Sequence, residues 1–242
     1  MNASVTVARY HLANPVKYLA TPWGILAFTF ALCAAVFALV PVSHHTFLGG
    51  PATVPNDGGR YTNVLFTFFF FFFVLGVQSI AQNLPFALAL GASRRSFYSG
   101  TALLAVSLAL GSGLVLAGLQ AIERATDGWG MAMHFFRVPY LLNGPWYTTW
   151  LTSFVGLSVL FVYGMWYGVV YRRSAMPGVL VFIAVQAFVG LAVYAAVALG
   201  YSWSAVEGNL ASLTALDLTG FVAVLTAVLL AGGHATIRRV TV

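Results

Sequence analysis

The chain has 242 residues, of which 60% are hydrophobic and only 7% are charged. A soluble domain of this length carries about a quarter charged residues, so the composition excludes a soluble globular protein and indicates a largely lipid environment. The formal net charge is +6, but the basic residues lie in pairs beside apolar runs, which is typical of membrane flanks rather than of a nucleic-acid-binding surface. The single cysteine, Cys33, lies in an apolar run and cannot form an intrachain disulfide.

The first 21 residues are predicted to form an amphipathic elbow helix that lies on the membrane surface before the chain enters the bilayer. Apolar residues such as Leu12 are interspersed there with Arg9, His11 and Lys17. A frayed terminus is the alternative for this segment. The apolar run that begins near Trp23 is expected to be an uncleaved span, because it is longer than a signal core and lacks a small-x-small cleavage site.

Six apolar runs follow, and each is long enough to cross roughly 30 Å of hydrocarbon as a helix. They cover residues 23–42, 62–83, 99–121, 148–171, 177–200 and 216–235. Helices are predicted because backbone polar groups in lipid must be paired within the segment. The predicted fold is therefore an all-α membrane protein with six transmembrane helices, forming a single transmembrane domain over residues 1–242.

The distribution of basic residues predicts the orientation of these spans. With the N-terminus inside, the cytoplasmic segments hold Arg9, Lys17, Arg94, Arg95, Arg172, Arg173, Arg238 and Arg239, and the outer segments hold Arg60, Arg124 and Arg137. All acidic residues fall in outer segments or at the outer mouth of a span. Because cytoplasmic loops carry the excess of Lys and Arg, we expect a multi-pass cell-membrane protein with both termini in the cytoplasm.

Three outer loops are predicted, at 43–61, 122–147 and 201–215. The second loop is rich in aromatic residues, namely Trp129, Phe135, Phe136, Tyr140 and Trp146. Because aromatic side chains are enriched at membrane interfaces, we expect these residues to lie in the outer headgroup region. Asp217, at the outer mouth of the sixth span, is expected to cap its helix.

Small residues within the spans predict close helix packing, within the chain or between subunits. The fourth span carries Gly164 and Gly168 at GxxxG spacing, and the third span carries Gly111, Gly113, Ala117 and Gly118. The run Phe68–Phe73 is interpreted as a lipid-facing or packing surface rather than a substrate site. Four polar residues within the spans are candidates for lining a translocation path, with helix pairing as the alternative: Gln78, Tyr163, Tyr167 and Gln186.

The sequence lacks the motifs of nucleotide hydrolysis, of serine or zinc hydrolases, and of an ion path through the membrane. A Walker phosphate-binding loop needs a lysine after its glycine-rich turn, and the only lysine, Lys17, follows Pro15 and Val16. No GxSxG or HExxH string occurs, so no catalytic residue and no metal site is predicted. The spans carry no central charge that would mark an ion or proton path.

The most informative segment, Leu84–Gly100 (LPFALALGASRRSFYSG), follows the second span on its cytoplasmic side. Pro85 can begin a short helix and Gly91 can end it. The segment is too apolar for a solvated loop, and the twin arginines Arg94 and Arg95 fix the cytoplasmic boundary. An apolar helix that is exposed on the cytoplasmic side is expected to be covered by a partner protein or by the membrane surface.

The string ALALGASRRSFYSG resembles the coupling-helix region of exporter-type ATP-binding cassette permeases, the type-2 permease class. The resemblance lies in a G-x-S-R-R/K-x-F turn and in the topology of elbow, six spans and cytoplasmic termini. It implies that a coupling helix at about 84–92 docks on a separate ATPase subunit. The implied contact residues are Leu84, Pro85, Phe86, Leu88, Ala89, Leu90, Gly91, Ala92, Ser93, Arg94, Arg95 and Phe97, with Arg172, Arg173 and Ser174 as a second, smaller contact.

The resemblance also implies that the chain pairs with a second permease subunit, identical or homologous, and with ATPase subunits that bind ATP and Mg²⁺. The chain itself would be neither an enzyme nor a cofactor-binding protein. Its apolar, aromatic spans favour export of an amphipathic drug, peptide or lipid. The sequence departs from the family in one respect, because its longest outer loop lies between spans three and four rather than between spans five and six.

Two other functions stay open from the sequence. One is a substrate-binding subunit of an energy-coupling-factor-type importer, since those proteins also have about six spans. The other is a membrane scaffold or sensor that transports nothing.

Overall fold

The structure, a computed structural model, describes residues 16–39, 60–61, 65–138, 142, 144–200 and 213–237. Almost all of these residues are helical. In chain order the helices are α1 (Thr21–Leu39), α2 (Leu65–Ala81), α3 (Asn83–Ala89), α4 (Arg94–Ala125), α5 (Trp146–Gly200) and α6 (Ala215–Thr236). Two-residue strands β1 (Arg60–Tyr61) and β2 (Met133–His134) pair in parallel. Val16–Ala20 forms a π-helical turn, and Gly128–Ala132 forms an irregular turn that begins with left-handed backbone.

Five helical segments of the described chain are long and apolar enough to cross a membrane. They are Val16–Leu39, Leu65–Ala89, Arg94–Ala125, Trp146–Leu199 and Ala215–Thr236. The fourth has 54 residues, and a straight helix of that length would be about 80 Å long, more than twice the thickness of the hydrocarbon core. It breaks at Ala175, so the total is five or six. The prediction of a helical fold with several helices able to span a membrane is confirmed at that level.

The break in α5 falls where the sequence predicted the loop between spans four and five. Ala175 has φ +50° and ψ −153°, which is not helical. Pro177 has no N–H to donate to the carbonyl of Arg173, four residues earlier, so the helical ladder is interrupted here. We call residues 146–174 the first arm of α5 and residues 176–200 the second arm.

The two arms of α5 run antiparallel, side by side. Tyr163 of the first arm contacts Gln186 of the second, and Tyr167 contacts Phe182. Both pairs are centred on the same point in the sequence, beside Ala175, which is the pattern of a helical hairpin. Two consecutive spans joined by a tight turn would show this arrangement.

Glycines bring α2 and the first arm of α5 into backbone contact. A Cβ atom on Gly164 would clash with the carbonyl oxygen of Phe73, and one on Gly168 would lie 2.7 Å from Cβ of Ile80. Gly76 of α2 faces the carbonyl of Phe161 equally closely. The GxxxG pair predicted from the sequence is therefore a helix contact within the chain.

The glycines of α4 divide into two kinds. Gly113 packs against the first arm of α5, where a Cβ atom would lie 3.0 Å from the backbone nitrogen of Phe154. Gly111 and Gly118 have nothing within 4 Å of such an atom. Close packing within the chain is thus confirmed at Gly113, and a contact of Gly111 or Gly118 with another subunit stays a prediction.

The ends of α1 and α6 bear on two further predictions. The predicted elbow lies mostly outside the described residues, and its last part, Val16–Ala20, runs into α1 as a π-helical turn without a break.

At α6 the N-cap residue is Thr214, whose hydroxyl accepts a hydrogen bond from the backbone of Asp217 at 3.2 Å. The Asp217 carboxylate accepts from the backbone N–H of Thr214 at 2.9 Å, so Asp217 completes a capping box instead of capping the helix itself.

Candidate functional site at the α3 end of the bundle

The short helix α3 occupies the position predicted for a coupling helix. It covers Asn83–Ala89 and follows α2 after a turn at Gln82. Pro85 cannot donate to the carbonyl of Ala81, which removes the hydrogen bond that would have continued α2 into α3. A single proline therefore separates the short helix from the preceding span.

Gly91 ends α3 in a Schellman motif. Its φ of +84° lies in the left-handed region, which glycine adopts without steric cost. The N–H of Ala92 donates to the carbonyl of Ala87 and the N–H of Gly91 donates to that of Leu88, both at 3.0 Å. The chain thus leaves α3 in a defined direction.

Ser93 begins α4 immediately afterwards. Its backbone is extended, and its hydroxyl accepts a hydrogen bond from the N–H of Ser96 at 3.1 Å. Arg94 and Arg95 therefore lie in the first turn of α4, where the helix dipole disfavours positive charge. Two arginines at this position favour an anionic neighbour, either lipid phosphate or an acidic protein surface.

One face of α3 is packed inside the chain and the other is exposed. Leu84 and Ala87 are buried, whereas Phe86 is 53% exposed, Leu90 is 69% exposed and Ala89 is also exposed. The three exposed residues form an apolar surface, which we call the α3 face. A partner protein could contact the α3 face without unfolding any part of the chain.

The geometry corrects two of the predicted contact residues. Leu84 and Phe97 are fully buried, so they hold α3 and the start of α4 in place and offer no surface to a partner. Among the remaining predicted contacts, Pro85, Leu88, Ala92 and Arg94 are half-buried, while Gly91, Ser93 and Arg95 are exposed.

Polar contacts that the sequence did not predict tie the start of α1 to the base of α3. The Lys17 ammonium donates to Oε1 of Gln82 at 2.9 Å, and the Asn83 amide donates to the Tyr18 hydroxyl at 2.9 Å. The same hydroxyl lies 3.3 Å from Oγ of Ser79. These residues are more than 60 positions apart in the sequence, so no local pattern could have indicated the contact.

The second predicted contact, Arg172, Arg173 and Ser174, lies at the break of α5. Arg173 and Ser174 are exposed and Arg172 is half-buried. The break lies at the same end of the molecule as α3, because Gly168, two turns before it, packs against Ile80 near the end of α2. Both predicted contact segments therefore face the same side, which we call the α3 end.

Basic residues separate between the two ends of the bundle. The α3 end carries Lys17, Arg94, Arg95, Arg172 and Arg173. The opposite end, here called the far end, carries Arg124, Arg137 and Arg60, whose backbone pairs with that of Met133 in the short sheet. Arg9, Arg238 and Arg239 lie outside the described residues.

Three of the four candidate path residues form a hydrogen-bonded cluster. The hydroxyls of Tyr163 and Tyr167 both donate to Oε1 of Gln186. The ring of Phe73 packs against both tyrosines, with centroids 5.8 and 5.2 Å away. Because the hydrogen bonds join the two arms of α5, the cluster favours the helix-pairing interpretation, and Gln78 is half-buried on α2 outside it.

At the far end, Glu123 has a role that the sequence did not indicate. It is fully buried, and its Oε2 accepts hydrogen bonds from the backbone N–H groups of Phe135 (2.9 Å) and Phe136 (2.8 Å) and from the indole of Trp129 (3.2 Å). The carboxylate thereby organises the segment between α4 and α5. The sequence indicated only that Glu123 belongs to the second predicted outer loop, at 122–147.

The headgroup prediction for the aromatic residues of this segment is wrong for two of them. Phe135 and Phe136 are buried in the protein and pack against Phe30 of α1, with ring centroids 5.3 and 5.8 Å apart. Trp146 is exposed, and Tyr140 lies outside the described residues. The hydrogen bonds to Glu123 explain the difference, because they draw this segment back onto the bundle.

Comparison with known proteins yields no relative. No protein-family model matches the chain, and neither the curated proteins nor the solved structures contain a match. The described residues contain no group of three or more His, Cys, Asp or Glu side chains that could hold a metal ion. Any function must therefore be argued from the chain's own sequence and geometry.

Proposed function

We propose that this protein is the membrane-spanning permease subunit of an exporter-type ATP-binding cassette transporter. The observation that carries the proposal is the α3 face, an exposed apolar surface of Phe86, Ala89 and Leu90 beside the exposed Arg95. An ATPase subunit with an apolar cleft and an acidic rim would complement both features. The chain has no Walker motif, so ATP and Mg²⁺ belong to that partner.

Several contacts suit α3 to transmit force into the membrane. Its base is tied to α1 through Gln82 and Asn83, its buried side is anchored by Leu84, and its C-terminus leads within a few residues into α4. A displacement of α3 would therefore act on α1, α2 and α4 together. Coupling of ATP binding to rearranged spans requires such a rigid connection.

The proposed topology has six spans, with the α3 end and both termini in the cytoplasm. The excess of basic residues at the α3 end supports this orientation, and the hairpin of α5 supports counting its arms as two spans. Two such subunits, identical or homologous, would enclose a path at their interface in the cell membrane. An amphipathic drug, peptide or lipid is the proposed cargo, because the spans offer apolar and aromatic side chains.

Co-purification in mild detergent tests the proposal. The full chain should retain an ATPase that contains Walker motifs, and Ala89→Asp should release it, because a buried carboxylate at an apolar contact is strongly unfavourable. Trp146→Asp is the matched control, since Trp146 is also an exposed apolar residue but lies at the far end.

Two outcomes would contradict this assignment. If the ATPase remained bound to Ala89→Asp with unchanged turnover, the α3 face would not be the coupling surface. If the protein retained a vitamin-like ligand and no ATPase, an energy-coupling-factor-type binding subunit would be the better assignment.

A further inference from the structure

A cavity of about 250 Å³ lies towards the far end of the bundle. Its walls are the first turn of α2, residues 152–160 of the first arm of α5, and residues 218–222 of α6. Val138 and Leu142, from the segment between α4 and α5, close it on one side. This cavity is separate from the α3 face and from the tyrosine cluster of α5.

The cavity is lined almost wholly by apolar side chains. Among the described residues that line it, the polar side chains are Thr152 and Thr219, whose hydroxyl oxygens lie 3.0 Å from each other. Thr219 donates to the carbonyl of Ala215 at 2.6 Å, which leaves the Thr152 hydroxyl to donate to Thr219. Among the described lining residues, the hydroxyls thus satisfy each other and the helix backbone, and a polar ligand would find no donor there.

The closed side of the cavity is fixed by hydrogen bonds. The Gln120 amide donates to the carbonyl of Leu142, and the Arg124 guanidinium donates to that of Gly144 at 2.6 Å. Val138 and Leu142 are both buried. These hydrogen bonds hold Leu142 and Gly144 against the end of α4.

The open side of the cavity faces the outer surface of the bundle. Two of its lining residues, Phe66 at the start of α2 and Leu218 at the start of α6, are substantially exposed, so they form the rim. Gly156 lets the ring of Phe69 pack against the backbone of α5, because a Cβ atom there would lie 3.1 Å from that ring. Around a membrane-spanning bundle, an apolar rim of this kind meets lipid rather than water.

We propose that this cavity binds one acyl chain of a membrane phospholipid. The apolar lining offers water few hydrogen-bond partners, and enclosed apolar cavities of about 150 Å³ in other proteins stay dry and take up small hydrocarbons. An empty cavity would leave its lining atoms without dispersion contacts, and a flexible hydrocarbon chain entering from the bilayer supplies them. The headgroup stays outside, because the interior offers it no hydrogen bond.

The site does not depend on the proposed ATPase partner. It requires only that the chain is embedded in a bilayer, which its apolar helices support. Failure of ATPase binding would therefore leave the acyl-chain site untouched, and the reverse also holds.

Photolabelling tests the site on the full chain reconstituted in phosphatidylcholine vesicles that contain a phospholipid with a diazirine near the end of one acyl chain. We expect the label on residues 152–160 and 218–222, identified by peptide mass spectrometry. Val222→Phe places a ring in the cavity and should remove most of this labelling. Val224→Phe is the matched control, because Val224 lies on the same helix but is 65% exposed and does not line the cavity.

Val159→Phe fills the same cavity from α5 and provides a second variant if Val222→Phe does not fold. Loss of labelling in either folded cavity variant, with labelling retained in Val224→Phe, supports the site. Labelling that is uniform over all exposed helices, or that is unchanged in both cavity variants, would overturn it. Modification of Thr152→Cys by a water-soluble maleimide in intact vesicles would also overturn it, because the cavity would then contain water.

Discussion

At the residue scale, Glu123 shows how one buried carboxylate can organise an irregular segment. Three N–H donors converge on its Oε2, while Oε1 is also buried and makes no hydrogen bond within the described part of the chain. Hydrogen bonds to a charged acceptor are stronger than those between neutral groups. Glu123 therefore ties Trp129, Phe135 and Phe136 to the end of α4.

Glu123→Gln should lower the free energy of unfolding by about 2 kcal/mol, because the three N–H donors lose a charged acceptor and keep at best a neutral carbonyl oxygen. The measurement is thermal unfolding in detergent, followed by the fluorescence of the tryptophans. Asp127→Asn removes a carboxylate from the same segment, and Asp127 is exposed, so it should unfold like the wild type. Equal stability of Glu123→Gln and wild type would refute the role given to Glu123.

A second prediction at this scale concerns Gly91. Gly91→Ala should destabilise the protein by about 1 kcal/mol, because a Cβ atom disfavours the left-handed backbone that ends α3. No atom lies within 4 Å of that Cβ, so the effect is conformational and not a steric clash with a neighbour. Gly118→Ala, in the interior of α4 and equally uncrowded, is the control and should not destabilise. A Gly91→Ala protein as stable as the wild type would contradict the Schellman assignment.

At the element scale, the contact between α2 and the first arm of α5 is the tightest in the bundle. Gly76, Gly164 and Gly168 let the two backbones touch, and Phe68 and Phe72 bury one face of α2 while Phe70 faces outward. The sequence predicted the small-residue pair but could not say which helix it meets. The helix that the pair contacts is α2, about 90 residues earlier in the chain, so only tertiary packing determines the contact.

Gly164→Leu should destabilise the protein by about 3 kcal/mol, since the added side chain must push α2 away from α5. Gly118→Leu makes the same change where space is open and should have little effect. Thermal unfolding of both variants in one detergent compares them directly. If the two substitutions were equally mild, the backbone contact would not exist.

Much of the element layout could be predicted from the sequence for a simple physical reason. Span positions follow from local hydropathy, the start and end of α3 follow from Pro85 and Gly91, and the break of α5 follows from Pro177, all of which act on their immediate neighbours. The burial of Glu123, the link from Lys17 to Gln82 and the lipid-facing cavity depend on residues that meet only after the bundle has formed. No periodicity or spacing in the sequence encodes such contacts.

At the scale of the whole molecule, the separation of charge between the two ends predicts a single orientation in the membrane. The α3 end carries the twin arginines of α4 and of α5, and the far end carries the segment organised by Glu123. This polarity would place the α3 face in the same compartment as a soluble ATPase.

Cysteine labelling of intact cells can measure this orientation. Cys33→Ala removes the only cysteine, after which Arg173→Cys and Tyr147→Cys introduce exposed thiols at opposite ends. A membrane-impermeant maleimide should label the Tyr147 variant in intact cells and the Arg173 variant only after permeabilisation. Labelling of both thiols from the same side would show that the proposed topology is wrong.

The most direct measurement of the central proposal is photocrosslinking from the α3 face in native membranes. A photoreactive amino acid at Phe86 should form a specific crosslink to an ATPase subunit that contains Walker motifs, and the same amino acid at the far-end residue Trp146 should not. If Phe86 crosslinked only to lipid, or if both positions captured the same proteins, the α3 face would not be the surface that couples this protein to ATP hydrolysis.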